Sequence, residues 1–185
     1  MMKKFLSLLT VGILISTLIL TVSAESSTLI KRIDNDTIDP DCTNNSWVFP
    51  TYLTVNPNLY NGDARRDYTK RPEGNPTYEW MITKGGISTQ NYQPLYCQLS
   101  VWLYDDTFTD PQAKYYAGGR LIQFIMGKIN QNLAPGGWNV LPTVEVVDYH
   151  ATPGNTLICG ASVTASGLSD TTWTGADCVE IFAYK

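Results

Sequence analysis

The chain predicts a secreted α+β domain, with one principal helix packed on a mostly antiparallel sheet and two disulfides. Three observations predict it: strict two-residue alternation over 95–104, helix-spaced apolar residues over 111–133, and four cysteines in an exported chain. A β-sandwich with one inserted helix is the alternative arrangement of the same elements.

Export is read from the first residues. Lys3 and Lys4 precede an apolar and hydroxyl run over 5–22, and Val22-Ser23-Ala24 offers a small-residue exit. That is the pattern of a secretory signal peptide. Such a run is also long enough to anchor in a bilayer, but the polar Glu25-Ser26-Ser27 directly after the small residues favours cleavage. Residues 1–24 are therefore a cleaved leader and 25–185 a single extracellular domain, with no stable membrane insertion after cleavage. Without Lys3 and Lys4, 11 basic side chains face 17 acidic ones, a net charge near −6. Nucleic acid is excluded as the main partner, because backbone phosphates demand a basic face.

In chain order, 25–46 reads as an irregular acidic leader. The span 47–55 has strand composition, but Pro50 limits it to an edge strand. Residues 56–94 are rich in Pro, Gly and Asn, and so long a loop-rich span reads as a binding surface or a small extra sheet. Over 95–104, Leu95, Cys97, Leu99, Val101 and Leu103 alternate with Tyr96, Gln98, Ser100, Trp102 and Tyr104. The aliphatic face belongs to the core. Asp110 then serves as N-cap and Pro111 as first residue of a helix carrying Ile122, Ile125, Met126, Ile129 and Leu133 on one side. Ala134-Pro135-Gly136-Gly137 ends it, a strand follows over 138–149, and strands over 156–164 and 176–184 close the chain as a hairpin. Centring that hairpin near Leu168 sets Cys159 opposite Cys178. The predicted pairs are thus Cys159–Cys178 and Cys42–Cys97.

The chemistry is sparse. His150 is the single histidine. It could act as general acid, with Glu145 as base, in a small hydrolase or ribonuclease, but in a strand these two have opposite parity and project to different faces. A surface histidine at a strand end is the plainer reading. Asp34, Asp36, Asp39 and Asp41 have the alternating oxygens that suit calcium. Without the glycine and distal glutamate of an EF-hand loop, they read first as a solvated acidic leader. Residues 63–71 hold four basic and two acidic side chains, a charge-mixed loop that could also grip an anion. No pattern calls for a cofactor.

Aromatic content carries the functional expectation. Tyr96, Trp102 and Tyr104 share one strand face, and Trp173 lies near a loop. These are the predicted ligand-binding residues, since flat rings beside Asn, Gln and Thr stack on sugars or form a protein-binding patch. The competing reading covers this stripe with the helix or the loop-rich span. The sequence thus points to a non-enzymatic extracellular binding domain for carbohydrate or protein. A His150 hydrolase and a secreted toxin or inhibitor are the alternatives.

Overall fold

Fifteen strands, all paired antiparallel, make up the computed structural model, which describes residues 27–45, 52–84, 86–88, 96–104, 108–118, 122–146 and 156–184. One sheet runs β1 (Thr28–Ile33), β15 (Val179–Tyr184), β7 (Tyr96–Leu103), β10 (Gly137–Val140), with β11 (Val144–Glu145) also on β7. A second runs β2 (Cys42–Asn45), β5 (Thr77–Ile82), β13 (Gly160–Thr164), β8 (Ala113–Gly118), β9 (Gln123–Ile129). A three-stranded sheet has the order β14 (Trp173–Ala176), β4 (Asp63–Tyr68), β3 (Tyr52–Val55). The last pair is β12 (Thr156–Ile158) with β6 (Ile87–Ser88).

The core follows the two-residue period of the strands. Cys97, Leu99, Val101 and Leu103 of β7 are buried as predicted, beside Val179, Ile181 and Ala183 of β15. From the second sheet come Tyr78, Trp80 and Ile82 of β5, Ala161 and Val163 of β13, and Ala113, Tyr115 and Ala117 of β8. All belong to one hydrophobic cluster, so the two five-stranded sheets close on each other as a β-sandwich. Two large polar side chains taken inside are partnered. Trp80 Nε1 donates to the Asp177 carbonyl at 3.1 Å, and Gln131 donates to Tyr115 Oη at 2.7 Å and to the Gly175 carbonyl at 3.0 Å. The Gly175 N–H donates back to Gln131 Oε1. A buried amide satisfied in this way fixes the loop after β9 onto β14.

The predicted helix does not form. Residues 113–129 are instead the β8–β9 hairpin, and no helix of seven residues or more exists among the described residues. The fold is a β-sandwich without the inserted helix. Ile125 and Leu133, two of the predicted helical apolar face, are 67% and 75% exposed. Glycine decides between the two periods. Gly118 and Gly127 have φ of +130° and +149°, which is not helical backbone. Gly127 sits where the β8–β9 register shifts, so that Tyr115 opposes Gly127 and Tyr116 opposes Ile125, leaving Met126 as the extra, buried residue of a bulge. Asp110 accepts the Gln112 N–H at 2.9 Å, much as an N-cap would. Its other oxygen takes the Ser166 N–H and Thr174 Oγ1–H, so the cap-like signal marks a loop crossing rather than a helix start.

Both predicted disulfides are absent, all four cysteines lying among the described residues. The terminal hairpin that would align Cys159 with Cys178 does not exist, because β13 pairs with β5 and β8 while β15 pairs with β1 and β7. Cys42 lies opposite Ile82 in the second sheet and Cys97 opposite Ala183 in the first. Cys159 Sγ donates to the Gly118 carbonyl at 3.4 Å. Burial pushes the Cys97 thiol up to about 12 and raises those of Cys42 and Cys178, which keeps them protonated and inert.

Two other segments are more ordered than the sequence predicts. The supposed irregular leader supplies β1 and β2, and the loop-rich span supplies β4, β5 and β6. β3 is an edge strand, as predicted.

Candidate ligand-binding surface

The structure divides the predicted ligand-binding residues between two aromatic groups. Trp102 projects from the outer face of β7, directly opposite Trp138 of β10. Their rings are edge-on at 5.4 Å, and Tyr60 from the turn before β4 joins both at 5.7 Å. Trp102 and Tyr60 spend their polar handles internally. Trp102 Nε1 donates to the Asn58 carbonyl at 3.0 Å, Arg32 donates to Tyr60 Oη at 3.3 Å, and Arg32 is ion-paired with Glu180. The Arg32 guanidinium also lies 5.6 Å from the Trp138 ring centre. The group therefore fastens the 56–62 segment over the first sheet, which is the covering expected of the loop-rich span. Trp102→Ala is expected to cost about 2 kcal/mol, less than for a fully buried tryptophan, and to leave ligand binding unchanged. Chemical denaturation with a parallel binding assay checks both halves.

Tyr96 and Tyr104 take no part in either group. Tyr96 opens β7 opposite Tyr184 and Glu145, and Tyr104 packs on the core beside Gly136. His150 lies outside the described residues, so the His150–Glu145 pairing is not placed; Glu145 is exposed on β11.

Trp173 belongs to the second group, on the three-stranded sheet. Directly opposed residues of an antiparallel ladder share a face. The register therefore sets Trp173 beside Tyr68, and Arg66 between Gly175 and Tyr52. Trp173 and Tyr68 stack at 4.1 Å and 27°, and Tyr52 meets Trp173 edge-on at 5.2 Å. The Arg66 guanidinium rests 4.3 Å from the Trp173 ring centre, and that of Arg71 lies 5.9 Å from the Tyr68 ring. The result is a row of guanidinium, indole, phenol and guanidinium. Tyr52, 45% exposed, stands open at its side.

A cleft of about 270 Å³ opens beside this row, lined by Lys70, Arg71, Pro72, Leu168, Ser169 and Asp170. Thr69 holds its two walls together. Its N–H donates to the Thr172 carbonyl at 3.0 Å, its carbonyl accepts the Gly167 N–H at 2.8 Å, and its hydroxyl bonds the Ser169 carbonyl. Thr69 is fully buried, so the cleft is set by the fold before any ligand arrives. Arg71 is ion-paired with the buried Asp67, and hydrogen bonding to that carboxylate raises its pKa further.

Of the four acidic residues weighed as calcium candidates, Asp39 pairs with Lys31 at 3.1 Å and Asp41 with Lys84 at 3.8 Å, while Asp34 is buried. No group of three His, Cys, Asp or Glu among the described residues is arranged to hold a metal ion.

Sequence reasoning passed over Arg66, Tyr68 and Lys70 as part of a charge-mixed loop. No two-residue alternation marks β4, whose buried positions Ala64 and Asp67 are three apart, so periodicity offered no signal there.

No known family matches the chain, and no curated protein matches it in sequence. Among solved structures it is similar to part of a Paenibacillus xanthan lyase, at 16% identity and a TM-score of 0.49, over 85% of this chain and 13% of that one. It is also similar to part of an exo-beta-1,3-galactanase from Phanerochaete chrysosporium, crystallised with beta-1,3-galactotriose. There the identity is 13% and the TM-score 0.32, over 86% of this chain and 29% of that one. The chain spans less than a third of either protein. Likenesses this remote carry no functional argument, and the site's own geometry must supply it.

Proposed function

We propose that this chain is an extracellular carbohydrate-binding domain, acting through the cleft beside Tyr52, Tyr68 and Trp173. One observation carries the reading: an open cleft with walls fixed by Thr69 shares Arg71 with the stacked Tyr68 and Trp173, at whose side Tyr52 remains 45% exposed. Sugar rings present an apolar C–H face and a rim of hydroxyls. Tyr52 and Leu168, the latter 57% exposed, offer apolar area for the face, and Asp170 and Ser169 offer acceptors for the rim. The extracellular placement rests on the leader at 1–24.

Glycan-array and polysaccharide pull-down binding on the chain without its leader tests this. Saturable binding that falls roughly tenfold in Tyr52→Ala, with the melting temperature held within a few degrees, is the expected result. Failure to bind any glycan overturns the carbohydrate reading and leaves a protein ligand as the one to pursue.

A further inference from the structure

We propose that the cleft and the ring row next to it select acidic glycans, recognising the carboxylates of uronate residues through Lys70 of the cleft and Arg66 of the row. This deepens the carbohydrate reading and rests on it.

The argument starts from which cations are already neutralised. Four ion pairs exist among the described residues, and they occupy Lys31, Arg32, Arg71 and Lys84. Arg66 and Lys70 are in none of them. Arg66 is held instead by its stack on Trp173, with its Nε buried and lacking any acceptor. A guanidinium positioned by an aromatic face keeps its donors for another anion, and its rigidity lowers the ordering cost of binding one. Lys70 is exposed at the cleft. Arg65, Lys114 and Lys128 also stand outside these ion pairs, but among these cations only Arg66 rests on a ring of the row and only Lys70 lines the cleft.

Their placement also fixes the kind of anion. Arg66 lies against Trp173 at one end of the row, and Lys70 stands beside Arg71 past Tyr68 at the other. A chain of sugars laid along the rings meets a cation at each end, whereas a single sugar reaches one. Asp170 lines the same cleft and Asp67 lies buried behind Arg71. The Asp170 carboxylate repels a densely sulfated polymer, yet it accepts hydroxyl hydrogens from a sugar carrying one carboxylate. Arg71, with its charge already met by Asp67, acts as a fixed wall rather than as a selecting group.

The test uses polygalacturonate, alginate and hyaluronan, each beside the same polymer with its carboxyls reduced to alcohols, and dextran sulfate as a third arm. Preference for at least one intact polyuronate over its reduced form by tenfold or more is expected, weakening as salt screens the charges. Lys70→Ala and Arg66→Gln should each reduce that preference several-fold, the intact polymer losing more affinity than the reduced one. Lys70 is exposed, so its variant stays informative even where Arg66→Gln perturbs the sheet. Equal binding of intact and reduced polymers overturns acid selection and leaves the carbohydrate reading standing. Tighter binding of dextran sulfate than of every polyuronate overturns the carboxylate assignment in favour of charge density alone. No binding to any polymer, neutral or acidic, overturns both readings.

Discussion

Trp80→Ala is expected to destabilise the protein by about 3–5 kcal/mol and to lower its melting temperature by about 10 °C or more. Trp80 is 1% exposed at the middle of β5, where β2 and β13 flank its strand. Its ring meets Tyr78 edge-on at 5.0 Å, and its indole N–H reaches across to the Asp177 carbonyl just before β15. The substitution opens a large cavity between the two five-stranded sheets and orphans a carbonyl that the indole satisfies. Trp80→Phe keeps most of the volume and should recover more than half of the loss. Calorimetry on the three proteins checks the order. A melting point for Trp80→Ala within a few degrees of the parent would show that the sheets do not close over this residue.

The second large effect is on pH dependence. Asp177 is 2% exposed, and burial pushes its carboxyl up to about 8, helped by the charges of Asp34, Asp63 and Asp36 and opposed by the Tyr60 N–H, which it accepts at 3.0 Å. Its other oxygen has no partner. Asp34 is pushed up to about 6, again chiefly by burial, against the hydrogen bonds it accepts from the Asn61 side chain and the Asn35 N–H. Between pH 4 and 8 the folded state keeps the Asp177 proton that the unfolded chain has released. Fewer protons are then bound on unfolding, so this group makes stability fall as pH rises. Its share is about 1.4 kcal/mol per pH unit, flat below about 4 and above about 8. Asp34 adds to the fall between about 4 and 6. Asp177→Asn retains an acceptor for the Tyr60 N–H and has no proton to lose. The variant should match the parent near pH 4 and exceed it by several kcal/mol at pH 8. Urea unfolding at several pH values measures the gap, and parallel pH curves for the two proteins would rule the account out.

How much of this was legible beforehand varies with the range of the interaction. β7 could be read in full, because alternation from Cys97 to Leu103 is a local property of a half-buried strand. The edge character of β3 followed from Pro50, also locally. The β8–β9 hairpin was misread because Ile122, Ile125, Met126 and Ile129 satisfy helical spacing as well as they satisfy a bulged strand. Gly118 and Gly127 were the discordant signal. Their weak helix propensity marked backbone that only positive φ allows, and not a helix relying on packing. The disulfides failed for a different reason. Export made pairing the default, but Cys159 and Cys178 belong to strands that never meet as a hairpin.

The candidate site shows the same division. Trp102 and Trp173 were both singled out from composition, and nothing local separates them. Trp102 became a fastening because a turn more than 40 residues earlier in the chain brings Asn58 to its indole N–H. Trp173 became part of an open row because β14 pairs with β4, setting it on Tyr68 from 105 positions away. The sequence by itself determined the acidic balance, the alternating core of β7 and the wealth of aromatic side chains. Each of these depends on residue type or on neighbours within a few positions. Only the tertiary structure decided that the protein is a sandwich without a helix, that its cysteines form no disulfide with one another, and which rings remain open beside cations outside any ion pair. Strand partners in an antiparallel sandwich are chosen by long-range burial and register, which no window of sequence contains.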